Sequence, residues 1–210
     1  MIDLYTFGTP NGRKASIMLE EVGLPYNVHT VHIGKNEQFA PEFLKISPNN
    51  KIPAIVDNDV PGAPISVFET GAILIYLAEK TASPLLPSEA RARADVMQWL
   101  MWQMGGQGPM FGQANWFIGN QPDNVRAVER YIDESVRLLG VLDRSLAGRQ
   151  YVAGDYSIAD IAIYAWCAGR IQNWMPEQRP GQLEEFSHVT RWQAACAKRP
   201  AVIKGMTVPS

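Results

Sequence analysis

Between Asn49 and Lys80 the sequence reads as two short strands and a helix, and this stretch fixes what the surrounding residues can form. Residues 54–56 and 65–68 are apolar runs too short for helices, and the Asp57-Asn58-Asp59-Val60-Pro61-Gly62 segment between them has hairpin-turn chemistry. From Thr70 the spacing becomes helical, with Ile73, Leu74, Leu77 and Ala78 on one side. Upstream, residues 1–6 form a strand pattern. The turn from Phe7 to Gly12 runs into a helix carrying Ile17, Met18, Leu19 and Val22, which stops at Gly23. Residues 25–33 alternate as a second strand, with Val28, Val31 and Ile33 apolar. A strand, helix, strand order requires a crossover and a parallel pair, and the hairpin and its helix complete a βαβ–ββα unit.

That arrangement is shared with thioredoxin-like proteins, and it predicts a first domain over residues 1–81. Thr81-Ala-Ser-Pro-Leu-Leu-Pro87 has two prolines within four residues, which end the helix and mark a linker over 82–87. No comparable strand pattern follows, so residues 88–210 are predicted as an all-helical domain. Its first helix begins near Glu89 and meets Gly105-Gly106-Gln107-Gly108-Pro109, a density of breakers that predicts a kink or interruption. Between Val125 and Leu146 apolar residues step by three or four, with Arg126, Glu129, Arg130, Asp133 and Arg137 falling elsewhere. Arg130 and Glu134 are spaced for an i,i+4 pair. Ser157-Ile-Ala-Asp160 is a capping box, which makes Asp160 a folding element rather than a catalytic acid. Residues 173–187 read as a polar connection, and Val189, Trp192 and Cys196 mark a last helix stopped at Lys198-Arg199-Pro200.

Composition removes several classes of function. The 210 residues carry a formal charge of −2, which gives no footprint for nucleic acid. No window has the run of about 18 apolar residues that a membrane helix needs, and the start lacks a signal-peptide pattern. A cytoplasmic protein is expected. Cys167 and Cys196 form no Cys-x-x-Cys pair and read as reduced core residues, and no metal site is predicted.

Two features of the 49–80 stretch exceed scaffold needs. Pro53 opens a strand, and the Ile52-Pro53 bond is open to either isomer. Glu69-Thr70 stands where a strand ends and a helix begins. The N–H groups and positive dipole end there suit a ligand carboxylate, and the Glu69 side chain suits an ammonium, although a plain helix cap has the same sequence. The strand, Ile-Pro and strand-Glu-Thr-helix pattern resembles the N-terminal domain of the glutathione transferases. The run Gln38-Phe-Ala-Pro-Glu-Phe-Leu-Lys-Ile-Ser-Pro-Asn-Asn-Lys-Ile-Pro-Ala-Ile-Val-Asp57 is similar to the bacterial nu class, related to the transferase domain of a fungal nitrogen-regulatory prion protein. The likeness extends through Met1-Ile-Asp-Leu-Tyr5, Thr9-Pro-Asn-Gly12 and Tyr156-Ser-Ile-Ala-Asp160, nearly the whole chain.

The resemblance implies a glutathione transferase fold and a set of roles. The γ-glutamyl end of glutathione meets Glu69 and Thr70, its cysteinyl amide pairs with the Ile52 backbone before Pro53, and its glycyl carboxylate meets Lys51 with Gln38 or Arg130. The first turn, Thr9-Pro10-Asn11-Gly12, has no cysteine, so a thiol chemistry here takes its sulfur from the ligand, with Thr9 and Asn11 as the implied catalytic residues. Tyr5, by contrast, falls within a strand pattern and reads as a cross-strand residue. The resemblance implies glutathione-dependent disulfide reduction with a small disulfide as second substrate. Conjugation of an apolar electrophile near Phe111, Trp116 and Phe117, or a non-catalytic glutathione-binding module, are the other readings. It also implies glutathione disulfide as a ligand and a homodimer.

Overall fold

The computed structural model describes residues 1–209, Arg170 by its backbone alone. By its internal contacts the chain divides into two units, one of residues 1–86 together with the segment from Arg199 onward, the other Pro87–Lys198. In the first unit β1 (Ile2–Thr6), α1 (Pro10–Val22) and β2 (Tyr26–Thr30) are followed by two 3-10 turns, α2 (Pro41–Ile46), β3 (Ala54–Asp57), β4 (Ile65–Phe68) and α3 (Thr70–Lys80). The sheet order is β2-β1-β3-β4, with β1 parallel to β2 and the other neighbours antiparallel. The register sets Leu4 beside Val28 and Ile55. Ile2 and Leu4 are buried together with Ile17, Met18, Ile55, Ile73, Leu74 and Leu77, so the alternation along β1 and the helical periods of α1 and α3 meet in one core.

The expected second strand is shorter than its alternation suggested. β2 ends at Thr30, Ile33 opens a 3-10 turn, and Val28 is 42% exposed. β2 is partly buried only at Tyr26 and exposed at its other four residues, so the period-2 pattern marks no buried face there. The hairpin end of the sheet is tied down by Asp57, fully buried, which accepts hydrogen bonds from the Tyr76 hydroxyl at 2.7 Å and the Asp59 N–H at 2.8 Å, and pairs with Lys80 at 2.8 Å. Burial raises its carboxyl, but those three donors outweigh it and the group titrates below the ordinary range.

The sequence predicts a helical domain over residues 88–210. The contacts instead gather the last segment into the first unit, where α10 (Pro200–Gly205) packs on α1. The cause is a close approach: a Cβ on Gly205 would stand 2.5 Å from the Ile17 Cα, and the Ser16 hydroxyl donates to the Gly205 carbonyl at 2.7 Å. Arg199, expected to help stop the preceding helix, forms a two-pronged pair with Glu21 at 2.7 and 2.8 Å, and Pro200 starts α10 at its first position.

The second unit contains α4 (Ala90–Trp102), α5 (Gly108–Asn120), α6 (Val125–Ser145), α7 (Ile158–Trp166), α8 (Gln172–Gln178) and α9 (Ser187–Ala197). The glycine-rich stretch does not break the helical path. It forms a π-helical turn, Gln103–Gln107, whose Gln107 amide donates to the Ile163 carbonyl at 3.3 Å and the Cys167 sulfur at 3.1 Å. The expected polar connection after Asn173 is helical as far as Gln178, because Trp174 and Met175 are buried anchors despite Pro176. Phe111 is wholly buried, a core residue and not a pocket wall. Glu134 is held by Arg137 at 2.7 Å, one turn the other way from Arg130, so the i,i+4 pair gives way to an i,i+3 pair. No helix among the described residues is long and apolar enough to cross a membrane.

The capping box at the start of α7 is present, and Asp160 does more than cap. Its carboxylate accepts from the Val152 N–H at 3.1 Å, the Ser157 N–H at 3.0 Å, the Ser157 hydroxyl at 3.1 Å and the Trp192 indole at 2.8 Å. Burial pushes its carboxyl up to about 6 against those four donors. Asp160→Ala leaves buried donors unanswered and is expected to cost about 2–4 kcal/mol in urea unfolding, against about 1 for an exposed cap. A cost below about 1 kcal/mol would show that the Trp192 and Val152 bonds contribute nothing.

Candidate active site

Within the first unit a cleft of about 260 Å³ is lined by Asn11, Ser47, Asn49, Lys51, Ile52, Pro53, Phe68, Glu69 and Thr70. Three pieces of chain converge there: the first turn of α1, the segment entering β3, and the junction of β4 with α3.

The α1 side is set by chain sterics. Thr9 is the N-cap in extended backbone, and its hydroxyl accepts the Gly12 N–H at 3.1 Å. Pro10 fits the first helical position. A Cβ on Gly12 would lie 2.1 Å from the Phe7 carbonyl oxygen and 2.6 Å from the Thr6 hydroxyl, so only glycine lets the helix start directly on the end of β1. Asn11, one residue earlier, is thereby delivered to the cleft.

The segment entering β3 is held from below. The Ser47 hydroxyl, almost wholly buried, donates to the Lys51 carbonyl at 2.8 Å. Ile52 and Phe68 line the cleft and also pack on the buried cluster of Val31, Phe43 and Ala54, which ties the cleft wall to α2. The Ile52-Pro53 bond, left open by the sequence, is cis.

At the third side Glu69 has φ +68°, a left-handed backbone that a non-glycine residue adopts at a cost of order 1–3 kcal/mol. This turns β4 into α3 in a single residue. Its exposed carboxylate accepts from the Asn49 side-chain amide at 3.4 Å. Thr70 follows as the first residue of α3, 6% exposed yet lining the cleft, and the Lys14 ammonium donates to its hydroxyl at 3.3 Å. The cleft therefore offers a carboxylate for a cation beside a helix N-terminus and a hydroxyl for an anion, with the Lys51 ammonium on a further wall.

Of the residues singled out from sequence, Asn11, Lys51, Ile52, Pro53, Glu69 and Thr70 meet at this cleft. Thr9 caps the helix two residues before Asn11. Gln38 lies in the second 3-10 turn, with its amide oxygen buried and no hydrogen bond reaching it from the described residues. Arg130 belongs to the helical unit, exposed on α6 beside a surface groove shared with Arg126, Tyr131 and Arg137. Tyr5 stacks on His29 at 4.6 Å between ring centroids and faces Phe43, the expected cross-strand role. Sequence reasoning passed over Asn49, Ser47 and Lys14. Lys14 had a signal, since it lies three and four residues before Ile17 and Met18 on the buried face of α1.

Neither Cys167 nor Cys196 forms a disulfide, both are buried, and burial pushes the Cys167 thiol up to about 12. No group of His, Cys, Asp or Glu suited to a metal occurs among the described residues.

Residues 2–79 match the family model described as glutathione S-transferase, N-terminal domain, and residues 109–200 match the C-terminal domain model. The chain belongs to the glutathione transferase family. Within this family it is 47% identical over 205 residues to the disulfide-bond oxidoreductase YfcG of Escherichia coli K12, covering 96% of this chain and 92% of the relative. A Pseudomonas putida glutathione transferase, crystallised with one glutathione disulfide per subunit, superposes with a TM-score of 0.93 at 48% identity, covering all of this chain and 92% of that one. A Pseudomonas fluorescens member with two glutathione molecules bound gives a TM-score of 0.91 at 50% identity, covering 98% and 92%.

The geometry of the α1 start makes a sharp prediction. Gly12→Ala would ordinarily favour a helix by about 0.5–1 kcal/mol, but the contact with the Phe7 carbonyl reverses the sign. A net loss of about 1–3 kcal/mol in denaturant unfolding is expected; a gain would show that the turn yields without cost.

Proposed function

We propose that the protein is a glutathione-dependent disulfide-bond reductase that takes its nucleophilic sulfur from bound glutathione. The observation that carries this reading is the pairing of a built, charge-complementary cleft with cysteines that are buried and, at Cys167, held as thiol. The γ-glutamyl ammonium goes to Glu69 and its carboxylate to Thr70 and the start of α3. The cysteinyl amide lies along Ile52, and the glycyl carboxylate goes to Lys51, with Gln38 as a further partner. The resemblance to a disulfide-bond oxidoreductase and to transferases crystallised with glutathione or its disulfide supports the same choice of ligand.

With the tripeptide so placed, its sulfur lies at the start of α1. The lone pair of Thr9 that receives the Gly12 N–H is committed to the cap, which leaves its O–H to donate to a thiolate. The Asn11 side-chain amide is a second donor, and the dipole end of α1 a third source of positive potential. All three favour thiolate over thiol, and each unit of lowered thiol pKa corresponds to about 1.4 kcal/mol. The bound thiolate attacks one sulfur of a small disulfide, forming a mixed disulfide with glutathione and expelling the other sulfur as a thiolate that takes up a proton. A second glutathione thiolate then attacks the glutathionyl sulfur. The products are the second substrate thiol and glutathione disulfide, so two glutathiones are oxidised for each disulfide reduced.

Thr9→Ala combined with Asn11→Ala tests the assignment through reduction of a small model disulfide by glutathione. Raising the bound thiol by one unit cuts the thiolate fraction about tenfold while its intrinsic nucleophilicity rises about threefold, so a net loss of about threefold per unit is expected. Unchanged rates would remove both residues from the mechanism. Cys167→Ala with Cys196→Ala is expected to retain the wild-type rate per folded molecule; its abolition would show that a protein thiol is the nucleophile.

A further inference from the structure

Asn49 lines the cleft but belongs to no helix or strand. A turn positions it instead. In Ser47-Pro48-Asn49-Asn50 the Asn50 N–H donates to the Ser47 carbonyl at 2.9 Å, and Pro48 stands second, where its fixed φ suits a β-turn. Asn50 takes a left-handed backbone at φ +50°, which asparagine adopts more readily than most residues. The buried Ser47 hydroxyl donates across the same turn to the Lys51 carbonyl at 2.8 Å. Asn49 itself is exposed, so packing does not dictate what its side chain does.

Among the described residues the Asn49 side chain makes one hydrogen bond: its amide nitrogen donates to a Glu69 carboxylate oxygen at 3.4 Å, and the carboxylate accepts no other. An ionised carboxylate only accepts, so the amide has to turn its N–H2 towards Glu69, and its carbonyl oxygen is left as a further acceptor next to the carboxylate. The charged groups around the pair are the Lys14 ammonium, which the Glu69 carboxylate stabilises, and Lys51 on the cleft wall. Both are cations and supply no acceptor. A ligand ammonium at Glu69 brings three donors into a site where those two lysines repel it, and the Asn49 oxygen answers one donor without adding a charge.

We propose that Asn49 determines specificity for the amino group of the ligand: its N–H2 steadies Glu69, and its carbonyl oxygen accepts a hydrogen bond from the ammonium that Glu69 pairs with. The three groups then close a ring, amide to carboxylate, carboxylate to ammonium and ammonium back to amide. This inference rests on the glutathione-binding reading and adds to it the residue that distinguishes an α-amino acid end from a plain carboxylic acid.

A cycle of protein and ligand changes tests it. The probes are S-methylglutathione, whose blocked sulfur takes no part in redox chemistry, and its deamino counterpart, in which a glutaryl group replaces the γ-glutamyl group and only the ammonium is lost. Affinities are read by displacement of a fluorescent S-linked glutathione. Wild type should prefer the amino ligand, and Asn49→Ala and Asn49→Leu should each narrow that preference by about threefold to tenfold, the size expected for a hydrogen bond to a charged group at an exposed site. Affinity for the deamino ligand should not change. Equal losses with both ligands would show that Asn49 only supports the turn, and no loss with either would show that it does nothing; both results overturn the proposal and leave the glutathione reading intact. A wild type that binds the two ligands equally would remove the ammonium from Glu69, and one that binds neither would overturn the glutathione reading itself. Should both variants fail to fold, a crystal structure of wild type with S-methylglutathione decides: the ammonium within hydrogen-bonding distance of the Asn49 oxygen supports the proposal, and an ammonium held by Glu69 alone overturns it.

Discussion

Helix α1 is pressed against its neighbours without room for a side chain at two points, and the candidate site depends on that. At Gly12 its first turn rests on the carbonyl of Phe7; near its middle, Ile17 lies against Gly205 of α10. Between the two, Lys14 reaches under Thr70 at the start of α3. A helix fixed in this way cannot slide or rotate, so its N-terminus holds Thr9 and Asn11 in a set position relative to Glu69 and Thr70. The cleft thus combines the ends of α1, β4 and α3 with the irregular segment 47–53, which the Ser47 hydroxyl and the packing of Ile52 hold against the core.

Charge in the cleft is distributed to match a zwitterionic end. Glu69, exposed and steadied by Asn49, offers a carboxylate to a cation; the start of α3 with Thr70 offers donors to an anion one residue away. Obtaining both from adjacent residues requires the chain to turn abruptly at Glu69, and the left-handed backbone there is how it does so. The chain's cysteine thiols are buried in the helical unit, where Cys167 lies against the Gln107 amide.

Much of this was legible because local signals agreed with the global fold. The turn from Phe7 to Gly12 that runs into α1, the hairpin turn after Asp57, the Glu-Thr junction at 69–70 and the capping box at Ser157 each state their structure locally. What was not legible involved partners distant in sequence. Val28 alternates as a buried strand would, but no layer covers β2. Pro200 was read as an end, yet it begins a helix because Gly205 permits contact with Ile17. One miss was local: Arg130 and Glu134 have the spacing of a pair, but Glu134 pairs with Arg137 one turn the other way. Lys14 carries only its spacing from Ile17 and Met18 as a sign of burial, and its place beneath Thr70 depends on the packing of α1 against α3. The division of roles between Gln38, Lys51 and Arg130 rested on likeness alone, since no local pattern says which cation a carboxylate will meet.

The proposed chemistry depends on a borrowed sulfur placed at the start of α1. A crystal structure of the protein grown with glutathione tests this most directly. The account requires the γ-glutamyl end at Glu69 and Thr70 and the sulfur within hydrogen-bonding distance of the Thr9 hydroxyl or the Asn11 amide. Ordered glutathione whose sulfur points away from both, or a cleft that glutathione does not enter, would contradict it.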